Sequence, residues 1–317
     1  MRWSISAHRL FRRCERQYAY AQIVASSTAA DPVRREAYCL KQLQTIANWQ
    51  GSLVHRTLAD RLPGILERGG AVDAVALTAH AEALAYRQFA FSSARRYRRE
   101  TKRATGDAYC ALVDHESGDP AASSRLVPAL QVAERCFRYL AAQGDFLRHL
   151  AAGYRCRSEL RLHFGVDEAS IQAVLDLLVE RGDGTLTIVD WKIAAGESGD
   201  YRQQLLLYAL AVLRSGRWPT IDAAQIEIYE ANLLRGTIRR HAVTAPEIGD
   251  MEDFVFRSAS SMAAALGDGG FAALRLGDLA IAANPNTCAY CRFRQLCLAD
   301  LAQDEARGHE LVQGRLC

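Results

Sequence analysis

Between Glu159 and Tyr208 two apolar, β-branched runs flank a strong turn signal, and this stretch constrains the fold more than any other. The order is Ile171-Gln-Ala-Val-Leu-Asp176, then Glu180-Arg-Gly-Asp-Gly-Thr185, then Leu186-Thr-Ile-Val-Asp190-Trp191-Lys192. An Asp-Gly pair between such runs predicts a β-hairpin. Residues two apart on a strand share a face, so Asp190 and Lys192 project together and Trp191 projects away. The hairpin brings Asp176 beside them, so two carboxylates and an ammonium converge at the edge of an apolar sheet.

Buried charges are costly unless paired or bound to metal. Hard divalent cations such as Mg²⁺ take one or two carboxylates together with phosphate and water. Such a cation polarises a phosphoryl oxygen and lowers the pKa of an attacking water, while a lysine stabilises developing charge. Taken singly, Asp-x-Lys fits a strand-end salt bridge equally well. Its neighbours separate the two readings. Downstream, Asp200-Tyr-Arg-Gln-Gln204-Leu-Leu-Leu-Tyr208 opens an amphipathic helix with Gln204 and Tyr208 on one face. Well upstream stands Gly51-Ser-Leu-Val-His55.

In this order the segments resemble the core of the PD-(D/E)xK nuclease superfamily, specifically its RecB-like branch. There an aspartate precedes (D/E)xK on the next strand and QxxxY on the following helix, with a GxxxH histidine upstream. The resemblance implies an α/β, restriction-endonuclease-like fold, a mixed sheet flanked by helices. It implies metal-dependent hydrolysis of DNA phosphodiesters, as an exonuclease on single-stranded ends, in DNA repair, recombination or antiviral defence. His55, Asp176 and Asp190 would hold Mg²⁺ or Mn²⁺ with the backbone carbonyl of Trp191. Lys192 would orient or activate water, and Gln204 and Tyr208 would position the substrate or the lysine. Cleavage of RNA is one alternative. A non-catalytic nucleic-acid-binding scaffold subunit is another, against which the intact acidic and lysine positions speak.

The remaining chain organises around that core. With 317 residues, half of them hydrophobic, it is long enough for one elaborated domain or two intimate ones. We expect an N-terminal helical segment over 1–70, a helical insertion over 71–153, the core sheet over 154–245 and a C-terminal helical segment over 246–317. A net charge of +3 means that nucleic-acid affinity must come from local patches. The densest basic run is Ala94–Arg103, where Arg95, Arg96, Arg98, Arg99, Lys102 and Arg103 flank a tyrosine. Such a run fits phosphate contact and base stacking, or an exposed helix end. Residues 106–125 read as an exposed loop. Near the N-terminus Ser4 caps a helix whose Leu10, Cys14 and Tyr18 form one stripe and Arg9, Arg12, Arg13 and Arg16 another. With no export signal and no apolar run of membrane-spanning length, the expected setting is cytoplasmic.

Nine cysteines are many for that setting, and metal binding is then a better reading than disulfides. Cys39, Cys110, Cys136, Cys156 and Cys317 stand alone and read as small buried hydrophobes. Cys288, Cys291 and Cys297 form C-x2-C-x5-C, one ligand short of the four that structural zinc or an iron–sulfur cluster takes. A subset of the RecB-like branch, including nucleases of CRISPR spacer acquisition, carries a [4Fe–4S] cluster on three C-terminal cysteines and one N-terminal cysteine. By that resemblance Cys14, Cys288, Cys291 and Cys297 hold the cluster and staple the N- and C-terminal segments; zinc is the alternative. The chain has no helicase-type P-loop of its own, so it reads as a stand-alone nuclease or as a subunit that works with a helicase or integrase-type partner.

Overall fold

The computed structural model describes residues 2–167, 169–196, 201–267 and 270–302; Asp200 and Cys317 lie outside them. The chain divides into two compact units, the smaller built from Trp3–Leu43 and the residues from Arg257 on, the larger from Arg2 and Gln44–Phe256.

In the smaller unit the N-terminal helices are α1 (Ile5–Arg13), α2 (Glu15–Ala19) and α3 (Pro32–Gln42). Ser4 caps α1 through its Oγ, which accepts from the Ala7 N–H at 3.2 Å. The helix does not run on to Tyr20 as its stripes predict: Cys14 is extended, with φ −168°, and separates α1 from α2. Its Sγ accepts from the Gln17 N–H at 3.4 Å, the cap that starts the second helix. The break also dissolves the arginine stripe, because Arg16 is buried while Arg12 and Arg13 stay exposed.

The C-terminal segment closes this unit. Tyr20 stacks on Phe293 with ring centroids 5.6 Å apart, and the Ala280 N–H donates to Glu15 Oε2 at 2.9 Å. Ser258 Oγ accepts from Trp3 Nε1 at 2.9 Å. Arg292 donates to the carbonyl of Lys41 at 3.1 Å, and also to that of Leu43, at the end of α3. Arg292 and Phe293 are therefore committed to packing.

The larger unit opens with α4 (Ile46–Glu67) and α5 (Ala74–Ser93) and continues through α6 (Leu126–Ala141) and α7 (Gly144–Ala151). Its five longer strands are β1 (Arg155–Val166), β2 (Ala169–Glu180), β3 (Leu186–Lys192), β4 (Ile226–Asn232) and β5 (Thr237–His241). The pairs β1–β2, β2–β3 and β4–β5 are antiparallel; β3–β4 is parallel, its crossover carrying α8 (Tyr201–Arg214). The result is the expected mixed sheet flanked by helices. The Asp183-Gly184 signal makes its hairpin: Gly184 sits at φ +81°, and Asp183 Oδ1 accepts from the Thr185 N–H at 2.9 Å. Only glycine takes that left-handed angle at no steric cost.

The helices of 71–153 share one apolar core with the sheet. Leu77, Leu84, Phe137 and Leu140 pack with Leu177, Val179, Val189 and Trp191. Residues 109–112 are buried rather than exposed, because Leu112 bridges Gln44 and the segment tucks under α5. Cys110, Cys136 and Cys156 are buried hydrophobes as read, their thiols pushed up by burial to about 12, 12 and 11. Among the described residues no helix is long and apolar enough to cross a membrane. At the turn from α7 into β1, a Cβ on Gly153 would collide with Val179 Cγ1 and lie 3.0 Å from the Glu180 carbonyl. Gly153→Ala is expected to cost about 2 kcal/mol, as overpacking does, read as a lower urea midpoint at unchanged slope.

Candidate active site

The register of the sheet builds the site. Leu177 pairs with Val189, which sets Asp176 opposite Asp190 at the mouth of the β2–β3 ladder. On the other side, Ser158 pairs with Leu177 and Leu160 with Leu175, which sets Glu159 opposite Asp176. Three carboxylates therefore form a row across β1, β2 and β3. Glu159 itself drops out of the ladder with φ +49°, a left-handed angle that costs a non-glycine residue roughly 1–2 kcal/mol. Strain of this kind gathers at working sites.

Helix α4 supplies the facing wall. Trp49, Leu53 and Leu62 are buried in the core, while Asn48, Gly51, Ser52, His55 and Arg56 line a cleft. The cleft has a volume of about 910 Å³ and also contains Lys102, Glu159, Arg161, Asp176 and Lys192. A Cβ on Gly51 would meet nothing within 4 Å, so the missing side chain leaves room in the cleft rather than serving protein packing. His55 Nδ1 lies 3.3 Å from Asp176 Oδ1. Among the described residues, the group whose ligand atoms all lie within 4.8 Å of one another is His55, Glu159 and Asp176. Glu159 enters the site through its backbone angle, which nothing in its sequence context signals beyond an acid at mid-strand.

Asp190 is the most deeply buried of the acids, at 1% exposure. Its Oδ2 is 2.6 Å from Lys192 Nζ yet has no aligned hydrogen bond, and its Oδ1 accepts from Gln204 Nε2 at 3.3 Å. Gln204 ties the cluster together, accepting from Lys192 Nζ at 3.2 Å and donating to the Tyr208 hydroxyl at 2.5 Å. Lys192 Nζ also lies 4.5 Å over the Tyr201 ring. The structure thus brings Asp176, Asp190, Lys192, Gln204, Tyr208 and His55 into one neighbourhood.

Electrostatics register the crowding. Burial, and then Asp176, push the Asp190 carboxyl up to about 6 against the pull of Lys192. Burial and Asp176 likewise raise Glu159. Burial alone would lower His55, but Asp176 and Asp190 carry it above its ordinary value. Burial holds the Tyr208 phenol neutral, well above its usual range. Crowded carboxylates, an orphaned buried oxygen and an imidazole are a donor set suited to a hard divalent cation.

Trp191 completes the picture through its backbone. Its side chain is buried against Phe146, and its N–H donates to Asp176 Oδ2 at 2.9 Å. Lys192 turns its carbonyl toward β4, where the Leu233 N–H meets it at 2.9 Å. Successive carbonyls alternate along a strand, so that of Trp191 points the opposite way, to the β2 side.

The basic run fares differently. Arg95 donates to the His115 and Glu116 carbonyls at 3.0 and 3.2 Å, Arg96 pairs with Glu100 at 2.7 Å, and Arg98 pairs with Glu116. Tyr97 is buried, its hydroxyl donating to Glu116 at 2.6 Å, and so is not available for stacking on a base. Arg99 and Arg103 are exposed, and of the six cations only Lys102 lines the cleft. Arg56 and Arg161 line it too, although no run in the sequence marks them.

In the smaller unit Cys14, Cys288, Cys291 and Cys297 come near one another. Burial raises the Cys291 thiol, and Cys14, Cys297 and Cys288 raise it further; Cys297 is raised by burial and by Cys14 and Cys288. They do not form a set as close as the His55 group.

Solved structures offer remote likenesses. The crystal structure of SSO0001 is similar at 14% identity and a TM-score of 0.31, over 59% of this chain and 79% of that one. A candidate exonuclease from Eubacterium rectale is similar at 12% identity and a TM-score of 0.31, over 43% of this chain and 53% of its own, so this chain spans about half its length. No curated protein matches. The family model for the PD-(D/E)XK nuclease superfamily, however, matches residues 2–298. A match over nearly the whole length, taking in every strand of the acidic row, makes this chain a member of the PD-(D/E)XK nuclease superfamily.

Proposed function

We propose that the chain is a Mg²⁺- or Mn²⁺-dependent nuclease that hydrolyses DNA phosphodiester bonds, working as an exonuclease on single-stranded ends. The observation that carries this reading is the convergence, at one cleft, of the His55–Glu159–Asp176 group with the Asp190–Lys192 pair. His55, Glu159, Asp176 and Asp190 would hold the cation with the Trp191 carbonyl. The bound cation supplies polarisation of the phosphoryl oxygen and a water of lowered pKa. Lys192 presents its ammonium where charge develops on the phosphate. Gln204 fixes that ammonium and the Asp190 carboxylate together, and Tyr208 fixes Gln204.

Lys102, Arg56 and Arg161 line the cleft and would take the phosphates on either side of the cut. Arg161→Ala is expected to weaken binding of all sequences alike and to lower the slope of log affinity against log salt by about 1. An unchanged slope would show that the arginine touches no phosphate.

Cys14, Cys288, Cys291 and Cys297 supply four soft thiolates in one unit, a donor set that fits a [4Fe–4S] cluster, with zinc as the alternative. An absorbance spectrum of anaerobically purified protein and its iron and zinc content separate the two. The activity is tested with single- and double-stranded DNA and RNA, labelled at either end, with Mg²⁺ or Mn²⁺. Progressive shortening of single-stranded DNA is the expected result. Binding without cleavage by the intact protein would point to a scaffold subunit instead.

A further inference from the structure

Arg16 is 4% exposed, and no carboxylate pairs with it among the described residues. Its Nε donates to the Leu279 carbonyl at 3.2 Å and its Nη2 to the Gly277 carbonyl at 3.3 Å, while Nη1 is buried with no hydrogen-bond partner. Two carbonyls hold the guanidinium in place without neutralising it. An arginine stays charged in any protein setting, and a buried charge needs a counter-charge. The neighbours supply one only under a condition. Arg16 sits in the first turn of α2, the helix that Cys14 Sγ caps, and its side chain reaches that of Cys297, which belongs with Cys14, Cys288 and Cys291. Four thiolates outnumber the two positive charges of a zinc ion or of an oxidised cubane cluster. A loaded site is therefore anionic.

We propose that Arg16 is the positioning residue of the four-cysteine site: its fixed guanidinium, with Nη1 as the open donor, balances the negative charge that the metal-bound thiolates carry. This rests on the reading of those cysteines as a metal site. Beyond that reading, it makes a residue with no metal-ligating atom a determinant of how tightly, and at what potential, the metal is held. A positive charge at the thiolates favours the reduced, more negative state of a cluster and disfavours protonation of the sulfurs.

The test compares wild type with Arg16→Met, Arg16→Lys and Cys291→Ser, each in the full chain. Metal content as purified, the rate of metal loss to a chelator and the midpoint potential are measured. Arg16→Met is expected to lose metal about tenfold faster, the factor carried by one charge-assisted hydrogen bond. Its potential should move to more negative values. Arg16→Lys, which keeps the charge but cannot span both carbonyls, should restore the potential more fully than the stability. Should the site hold zinc, metal loss alone carries the comparison, with the same rescue by lysine. If Arg16→Met keeps metal at the wild-type rate while Cys291→Ser loses it, the role for Arg16 is overturned and the metal site stands. If wild type itself holds no metal, the four-cysteine reading falls and this one with it.

Discussion

Asp190→Asn should lower cleavage about a thousandfold or more while leaving the protein folded. The substitution keeps the shape of a side chain that is 1% exposed and removes the charge that faces Lys192 at 2.6 Å. The expected effect on stability has the opposite sign to the effect on rate. The Asp190 carboxyl is raised by burial to about 6, so the folded state holds its proton more tightly than the unfolded chain does. Any stability gained from that proton is present below the unfolded carboxylate range and is lost as pH rises through about 6. At pH 8, without divalent cation, Asp190→Asn should therefore melt at the same temperature as wild type or higher. Adding Mn²⁺ should stabilise wild type and not the variant. A variant that still cuts would remove Asp190 from the site, and one that melts early would make it a structural residue.

The second large effect concerns the smaller unit. One of its apolar clusters consists of Tyr20, Ala21, Val24, Ala37 and Phe293, a small core for segments drawn from both ends of the chain. Small cores need staples. If the four cysteines hold metal as proposed, chelation or Cys291→Ser should cost this unit several kcal/mol, on the order of 5. Limited proteolysis reads it directly. Cleavage should concentrate in residues 5–42 and 270–302 while 44–256 stays protected. Equal protection with and without metal would show that apolar packing alone holds the unit together.

How much of this was legible in the sequence varies with the range of the interaction responsible. Local signals read well. The Asp-Gly hairpin, the Ser4 cap and the alternation that puts Asp190 and Lys192 on one face all follow from chemistry within a few residues. Tertiary context decided the rest. Tyr97 and Arg98 looked like nucleic-acid contacts until Glu116, distant in sequence, engaged them. Arg16 looked like part of a solvated stripe until the break at Cys14 turned it inward. Glu159 marked only the start of the constraining stretch, because no residue type announces a left-handed angle in the middle of a strand. The signal that was available was weak: a carboxylate directly across the ladder from Asp176, visible only once the register is known.

The division of the chain has a consequence for its synthesis. Helices α1 to α3 leave the ribosome before the larger unit does, but the residues that complete their own unit lie beyond residue 256. At ~5–20 residues per second, translating 44–256 takes roughly 10–40 s. During that interval the larger unit can collapse and fold, since β1 to β5 lie within the stretch just made. Residues 5–42 must wait, with Tyr20 not yet stacked on Phe293. Completion of the smaller unit thus follows that of the larger one, and a ribosome that stops before residue 257 releases the acidic cleft without Cys288, Cys291 and Cys297.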